Sequence, residues 1–427
     1  MLGRGIVLAL ALAAVPLVAQ TQGGPIPVPL PLFPPNNWWN TDISRAPVDP
    51  ESDALIQFIG PTRGLHPDFG GDAGDGSIYG FPYILVDAAQ PKKSVTFFYD
   101  DESDHVGYPI PDQAITQSGW IEGGQPGNVD LRDEADRHIL IVDRTSNHLY
   151  ELYNVFFDGT KWLAGSGAFF DMNRNHRRPE GWTSADAAGL AILPGLVRYD
   201  EVMGPDEILH AFRVTVRATN GHVDPASHTA GSRSGAPKLG MRLRLKASRD
   251  LSSFPAYVQK IFRAMKTYGL IIADNGSDLY VSGAYDRRWN NDVLNPAFRA
   301  LRASDFEVIR AGWKPPLSFV LTIPSRAAAG DALTATLTVY DSDDNVATGY
   351  RGTVRFTSTD GAATLPVDST FTATDAGVHT FTRGFTFRTE GSRIVTVTDR
   401  SDPTVTGSRI VTVVPPSAPG RRRAAGR

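Results

Sequence analysis

Hydrophobic positions along this chain follow two different patterns, and the change falls at Trp313-Lys314-Pro315-Pro316. Beyond that break the apolar residues come in short Thr- and Val-rich runs: Leu317 to Ile323, Leu333 to Tyr340, Thr353 to Thr357, Val378 to Thr382, Arg393 to Val397 and Arg409 to Val413. Gly, Asp and Pro clusters separate them, which predicts an all-β sandwich. Gly391-Ser-Arg-Ile-Val-Thr-Val397 recurs verbatim as Gly407 to Val413, as expected for two equivalent strands closing a sheet.

Before the break, strands mix with a few helices. Asp49-Pro50 opens a short helix that Gly60 closes. A longer helix begins near Ser253-Phe254-Pro255, with Tyr257, Val258, Ile261, Phe262 and Met265 on one face and Gly269 at its end. Asn295-Pro296 is expected to start a third. His138 to Asp143 is apolar on both faces and predicts a central strand. Arg242-Leu-Arg-Leu-Lys246 alternates and predicts one wet and one dry face. Asn275-Gly276 between two apolar runs predicts a hairpin. Strands and helices do not alternate regularly, so no parallel βαβ layout is indicated. The expected fold has two domains: an N-terminal β-rich α+β domain, sandwich-like with helices at its rim, and a C-terminal all-β sandwich.

The N-terminus adds an export signal. Arg4 precedes an unbroken apolar run from Ile6 to Ala19, the length of a signal-peptide core and too short to span a bilayer. The expected organisation is a signal peptide (1–19), a Pro-rich leader (20–35), a larger domain (36–313), a linker (314–316), the sandwich (317–414) and a basic disordered tail (415–427). The mature protein is then secreted or periplasmic, with no membrane span. In the 427 residues, 41 Gly and 31 Pro favour turn-rich β structure, and the formal charge of −4 gives no basic stripe for nucleic acid. The absence of cysteine excludes disulfides, thiolate metal sites and a cysteine nucleophile.

There is no Gly-x-Ser-x-Gly elbow, His-Glu-x-x-His, phosphate loop or dinucleotide fingerprint, which leaves carboxylate and histidine chemistry. His66 and Asp68, two apart in an extended segment, can face one way. Asp100, Asp101, Glu102 and Asp104 repel unless a cation such as calcium, or an arginine, neutralises them; as a solvated acidic loop they would do neither. Asp171 follows Phe169-Phe170, whose apolar setting suits a protonated acid. Trp182, ahead of a helix cap at Thr183 or Ser184, suits a sugar platform, and Asp186 lies in the same stretch. His210 starts the strand to Val216 and points inward, His228 sits in a nearby Ser/Gly-rich loop, and Asp274 ends an apolar strand. Each also has an ordinary structural reading as a turn, a core residue or a solvated loop. The acidic turn Asp341, Asp343, Asp344 reads first as a hairpin loop.

The stretches Asn37-Trp-Trp-Asn-Thr-Asp42, Leu65 to Gly70, Gly181 to Leu190, Pro194 to Glu201 and Lys266 to Asp278 resemble a widespread group of secreted bacterial proteins with no assigned activity. That resemblance implies one coherent domain over most of residues 36–310. Gly349-Tyr-Arg-Gly-Thr353 and Asp375-Ala-Gly-Val-His379 resemble immunoglobulin-like repeats of bacterial surface proteins, which implies a spacer or adhesive module. The expected function is a secreted carbohydrate-active enzyme, a glycoside hydrolase acting on a polysaccharide or cell-surface glycan. Asp171 (acid), Asp274 (base or nucleophile), His210 and Asp186 would be catalytic, with His66, Asp68, Trp182 and His228 binding substrate. No cofactor is required, and calcium at the acidic loop is an option rather than a need. The alternatives are a polysaccharide lyase with a histidine base and a non-catalytic surface protein. They divide on whether these stretches meet in one concave pocket.

Overall fold

The computed structural model describes residues 20–26, 30, 32–71 and 78–416. The signal-peptide segment (1–19), part of the Pro-rich leader and nearly all of the basic tail lie outside the described residues. The chain is mostly β-sheet with few helices, and no described helix is long and apolar enough to cross a membrane.

One sheet runs in the order Thr21–Gln22, Tyr83–Val86, Ile139–Asp143, His148–Tyr153, Ser166–Asp171. Its middle strand, Ile139–Asp143, is buried throughout because the sheet feeds two cores. Leu140 and Val142 face a large inner core, whereas Ile139 and Ile141 face a second one with Phe97, Tyr108 and Trp162. That is why the run is apolar on both faces. Burial of Leu140, Val142, Ile139 and Ile141 stabilises the sheet by about 2 kcal/mol per side chain.

The second sheet runs Phe306–Val308, Arg242–Leu245, Leu270–Asn275, Phe212–Val216, Tyr280–Ser282, His66–Asp68. Phe212, Val214, Ile272 and Val281 share the inner core with Leu140 and Val142. The helix Ala256–Thr267 contributes Val258, Ile261, Phe262 and Met265 to the same core and ends before Gly269. Gly269 has φ +76, where a Cβ would sit 2.6 Å from the Leu243 carbonyl, so only glycine turns the chain there.

Four local expectations are corrected. Arg242 and Arg244 are both buried, because the expected wet face of their strand is covered by residues 38–46. Arg244 donates to the Ile43 and Ala46 carbonyls and pairs with Glu307 at 2.7 Å. The chain does turn at Asn275-Gly276, but no hairpin forms: Phe212–Val216 inserts between Leu270–Asn275 and Tyr280–Ser282, pairing parallel to the first and antiparallel to the second. Parallel pairs therefore exist despite the irregular alternation, and Tyr83–Val86 with Ile139–Asp143 is another. The third helix spans Asn291–Arg299 with Asn290 as its cap, its side chain accepting from the Asp292 amide. Pro296 lies inside it, near the C-terminal end.

Residues 317–414 form two further sheets around their own core, in which Phe319, Leu337 and Val339 meet Val354, Val395 and Val411. The verbatim repeat occupies Gly391–Asp399 and Thr406–Val414, which pair antiparallel with Ile394 opposite Ile410. Equivalent residues of the two copies thus face each other. The acidic turn is a hairpin loop: Asp341 accepts the Asp343 and Asn345 amides, and Asp344 pairs with Lys314.

Candidate functional site

A cleft of about 330 Å³ opens where the loop after Ser166–Asp171 crosses from the first sheet to the second. Its walls include Tyr99, Glu102, Tyr153, His138, Asp186, His228 and Asp274. No helix follows Trp182, contrary to expectation. The Ser184 hydroxyl instead donates to the Leu190 carbonyl at 2.6 Å and accepts the Asp186 amide at 2.9 Å, closing a tight loop. That loop is fastened to the second sheet by the Ala188 amide on the Ala273 carbonyl, 2.9 Å. Gly189 packs against Ser227, where a Cβ would lie 2.0 Å from the serine hydroxyl, so the small residue makes the close approach possible.

This fastening brings Asp186 to Asp274 at the floor of the cleft. Between them lies Arg213, from the strand Phe212–Val216, itself buried. Its Nε and Nη2 donate to the two Asp186 oxygens, both at 2.9 Å, and Nη2 also donates to Asp274 Oδ2 at 2.9 Å. Nη1 donates to the Ser282 hydroxyl at 2.8 Å, and the Phe81 ring lies 5.7 Å from the guanidinium. One cation therefore serves two carboxylates. Burial pushes the Asp274 carboxyl up to about 6; Arg213 opposes that and Asp186 adds to it.

The opposite wall is built from the acidic loop. Arg178 donates to the Asp104 carboxylate and to the Glu102 carbonyl, so an arginine supplies the neutralising cation considered from sequence. Among the described residues no group of three or more His, Asp or Glu side chains is arranged to hold a metal ion. Asp100 and Asp101 are exposed. The Glu102 carboxylate accepts the Thr183 amide at 2.9 Å and stands 3.8 Å from His228 Nε2. His228 Nδ1 donates to the Ala187 carbonyl at 2.8 Å. In the neutral ring that bond leaves Nε2 as the lone-pair nitrogen.

His138 completes the floor. Its Nδ1 lies 2.5 Å from Glu122 and its Nε2 2.9 Å from the Ala185 carbonyl, so both nitrogens face acceptors and the ring is built to be charged. Burial opposes that charge, but Glu122 outweighs it and pushes His138 up to about 9. Behind it, Glu151 is fully buried and accepts the Ile192 and Leu193 amides at 2.8 and 2.9 Å. Burial still raises its carboxyl to about 7.

Of the residues singled out from sequence, Asp186, Asp274, His228 and Glu102 meet here. His66 and Asp68 do share a face: His66 Nε2 is 2.5 Å from the Tyr79 hydroxyl, and Asp68 is hydrogen-bonded to the same tyrosine. Neither lines the cleft; burial raises the Asp68 carboxyl against the pull of Arg213. Trp182 is not a cleft wall: it packs under Arg178, 5.3 Å away.

Two expected catalytic residues lie elsewhere. Asp171 accepts the Asn173 amide at 3.0 Å and pairs with Arg174 at 3.1 Å. Burial would raise its carboxyl, but Asn173 and Arg174 outweigh that and hold it low, the reverse of what a general acid needs. The apolar Phe170 faces away into the core while Asp171, next in the strand, faces the polar turn. His210 is buried but spent: Nε2 is 2.9 Å from both Glu201 and Arg198, and Nδ1 is 2.8 Å from the Ala211 carbonyl. The strand it was expected to start begins at Phe212.

Arg213, Glu122, His138 and Glu151 were missed as site residues. A signal existed for Arg213, since a charge inside the apolar run Ala211 to Val216 must find a buried counter-charge. Comparison with protein-family models and with curated proteins finds no match to the chain.

Proposed function

We propose that residues 36–313 form a glycan-cleaving enzyme domain, carried by an exported protein whose residues 317–414 form an immunoglobulin-like spacer. The observation that carries this reading is the meeting of Asp186 and Asp274 on Arg213 in a cleft that also takes Glu102 and His228. Hydrolysis needs one carboxyl held protonated and a second carboxylate opposite. Asp274, raised to about 6 by burial, serves as the acid. Glu102, on the opposite wall, supplies the base or nucleophile. Asp186 and Arg213 position Asp274 without touching substrate. No bound cofactor is needed for this chemistry, and Tyr99 and Tyr153 offer ring faces to a sugar.

A second reading has its own support. His228, with Nε2 left as the lone-pair nitrogen, is placed to remove a proton from a uronate sugar, as a polysaccharide lyase requires. It takes the place of His210, which is committed to Glu201 and Arg198.

A polysaccharide screen of the mature protein, with product analysis, tests both. New reducing ends without unsaturated sugars, lost in Asp274→Asn, support hydrolysis. Unsaturated uronate ends, lost in His228→Gln, support the lyase. No cleavage across neutral and acidic polysaccharides would leave a binding or surface role.

A further inference from the structure

A second cleft, of about 190 Å³, lies between the N-terminal sheets and the C-terminal pair. Trp38, Met241, Arg242 and Trp313 line one side, and Ser318 and Asp341 the other. Arg242 is 7% exposed. Its guanidinium is anchored through Nη2 to the Trp38 carbonyl, yet its Nη1 has no hydrogen-bond partner. The indole Nε1 of Trp38 has none either, and both nitrogens are shielded from bulk solvent.

Two buried donors without acceptors, one of them on a cation, cost several times what a satisfied pair contributes. The neighbouring carboxylates do not meet the need. Asp224 attracts Arg242 but stands 3.6 Å from Arg177 Nε, and Asp344 pairs with Lys314 at 3.2 Å. Burial correspondingly weakens the hold of Arg242 on its proton, to about 10.

We propose that this cleft binds a sugar ring bearing one carboxylate, a uronate, with the carboxylate between Arg242 Nη1 and Trp38 Nε1. Two donors match the two oxygens of a carboxylate. Arg177, Arg242, Arg310 and Lys314 stand against Asp224, Asp341 and Asp344 in the lining, so its charges leave one net positive charge, which a single carboxylate balances and a doubly charged phosphate exceeds. The Trp38 and Trp313 indoles with Met241 suit the apolar face of a pyranose ring, while Ser318 and Asp341 suit its hydroxyls. The volume falls below the roughly 300 Å³ at which drug-sized ligands begin, which limits the occupant to one ring. The choice of a sugar rests on the glycan reading above; the choice of a carboxylate does not.

The test uses the full mature chain with ¹⁵N-labelled tryptophan, titrated separately with glucuronate, glucose and acetate. Glucuronate shifts the Trp38 indole resonance, identified by its loss in Trp38→Phe, and glucose does not. Acetate shifts it with weaker affinity. Arg242→Met abolishes glucuronate binding, and Trp38→Phe, which keeps a ring but loses the donor, weakens it about tenfold by calorimetry. Should Arg242→Met not fold, the wild-type titration and Trp38→Phe still decide. An unmoved Trp38 resonance at saturating glucuronate, or equal binding of glucose, overturns the site. Acetate binding as tightly as glucuronate overturns the sugar assignment. Asp274→Asn retains the Trp38 response, so failure of the catalytic reading and failure of this one are separable.

Discussion

Asp186 and Asp274 each accept a 2.9 Å hydrogen bond from the same nitrogen, Nη2 of Arg213. They do not hold it equally. Asp186, fully buried, also takes the Nε bond and so grips the guanidinium at both oxygens, whereas Asp274 keeps part of its surface in the cleft. Asp274 is therefore the member of the pair able to exchange a proton with the contents of the cleft.

Turnover should depend on Asp274 in its protonated form. Cleavage is expected to fall as pH rises above about 6 and to drop by orders of magnitude in Asp274→Asn at every pH. Stability runs the same way. A carboxyl whose folded value is raised from 3.8 binds its proton more tightly when folded, so its contribution is present below pH 3.8 and lost as pH rises through about 6. Urea melts from pH 4 to 7 should show that loss in the wild type and a smaller one in Asp274→Asn.

Arg213→Met removes the buried cation that bridges Asp186 and Asp274, and should destabilise by about 3–5 kcal/mol. Combined with Asp186→Asn, the loss should be smaller than the sum of the two single losses, because the uncompensated charge is then gone. Chemical denaturation of the three variants measures this; strict additivity would mean that the pair does not interact.

His138 has the opposite chemistry from Asp274 but the same sign. Its folded value is raised from 6.5 to about 9, so its pairing with Glu122 contributes fully below pH 6.5 and is lost as pH rises through about 9. In His138→Gln the melting temperature should change less between pH 6.5 and 9 than in the wild type. A ring that titrates near 6.5 by NMR would contradict the arrangement.

Asp171→Asn should leave turnover near the wild-type value, since Asp171 serves the Asn173 turn and Arg174 rather than the cleft. A stability loss of about 1 kcal/mol or less is expected, read by thermal melt alongside the assay.

A chain ending at Lys314 should unfold cooperatively by itself. Residues 317–414 pack into their own core, and Trp313, which the cut retains, packs on Ile43, Ala46 and Ile309. Few hydrogen bonds cross, among them the Ile410 amide to the Leu30 carbonyl at 3.2 Å. Calorimetry giving a broad transition or aggregation for this fragment would show that the C-terminal sheets are needed for folding.

Local patterns determined much of this protein. The repeat at Gly391 and Gly407 specified two paired strands, the apolar face from Phe254 to Met265 specified a helix, and the two-faced run before Asp143 specified a central strand. Each depends on periodicity within a dozen residues, which the chain states directly. The same local reading placed Asp186 and Asp274 at element ends but gave Asp171 and His210 the same standing, because local pattern carries no information about the partner across the fold. Tertiary structure decided that Asp171 meets Asn173 and Arg174, that His210 is consumed by Glu201 and Arg198, and that Arg213 bridges Asp186 and Asp274. It also buried Arg242 and Arg244, whose alternation with leucine promised exposure. The physical reason is common to all of them: a charged group's environment is set by what long-range packing brings within about 4 Å, where Coulomb and desolvation energies are largest.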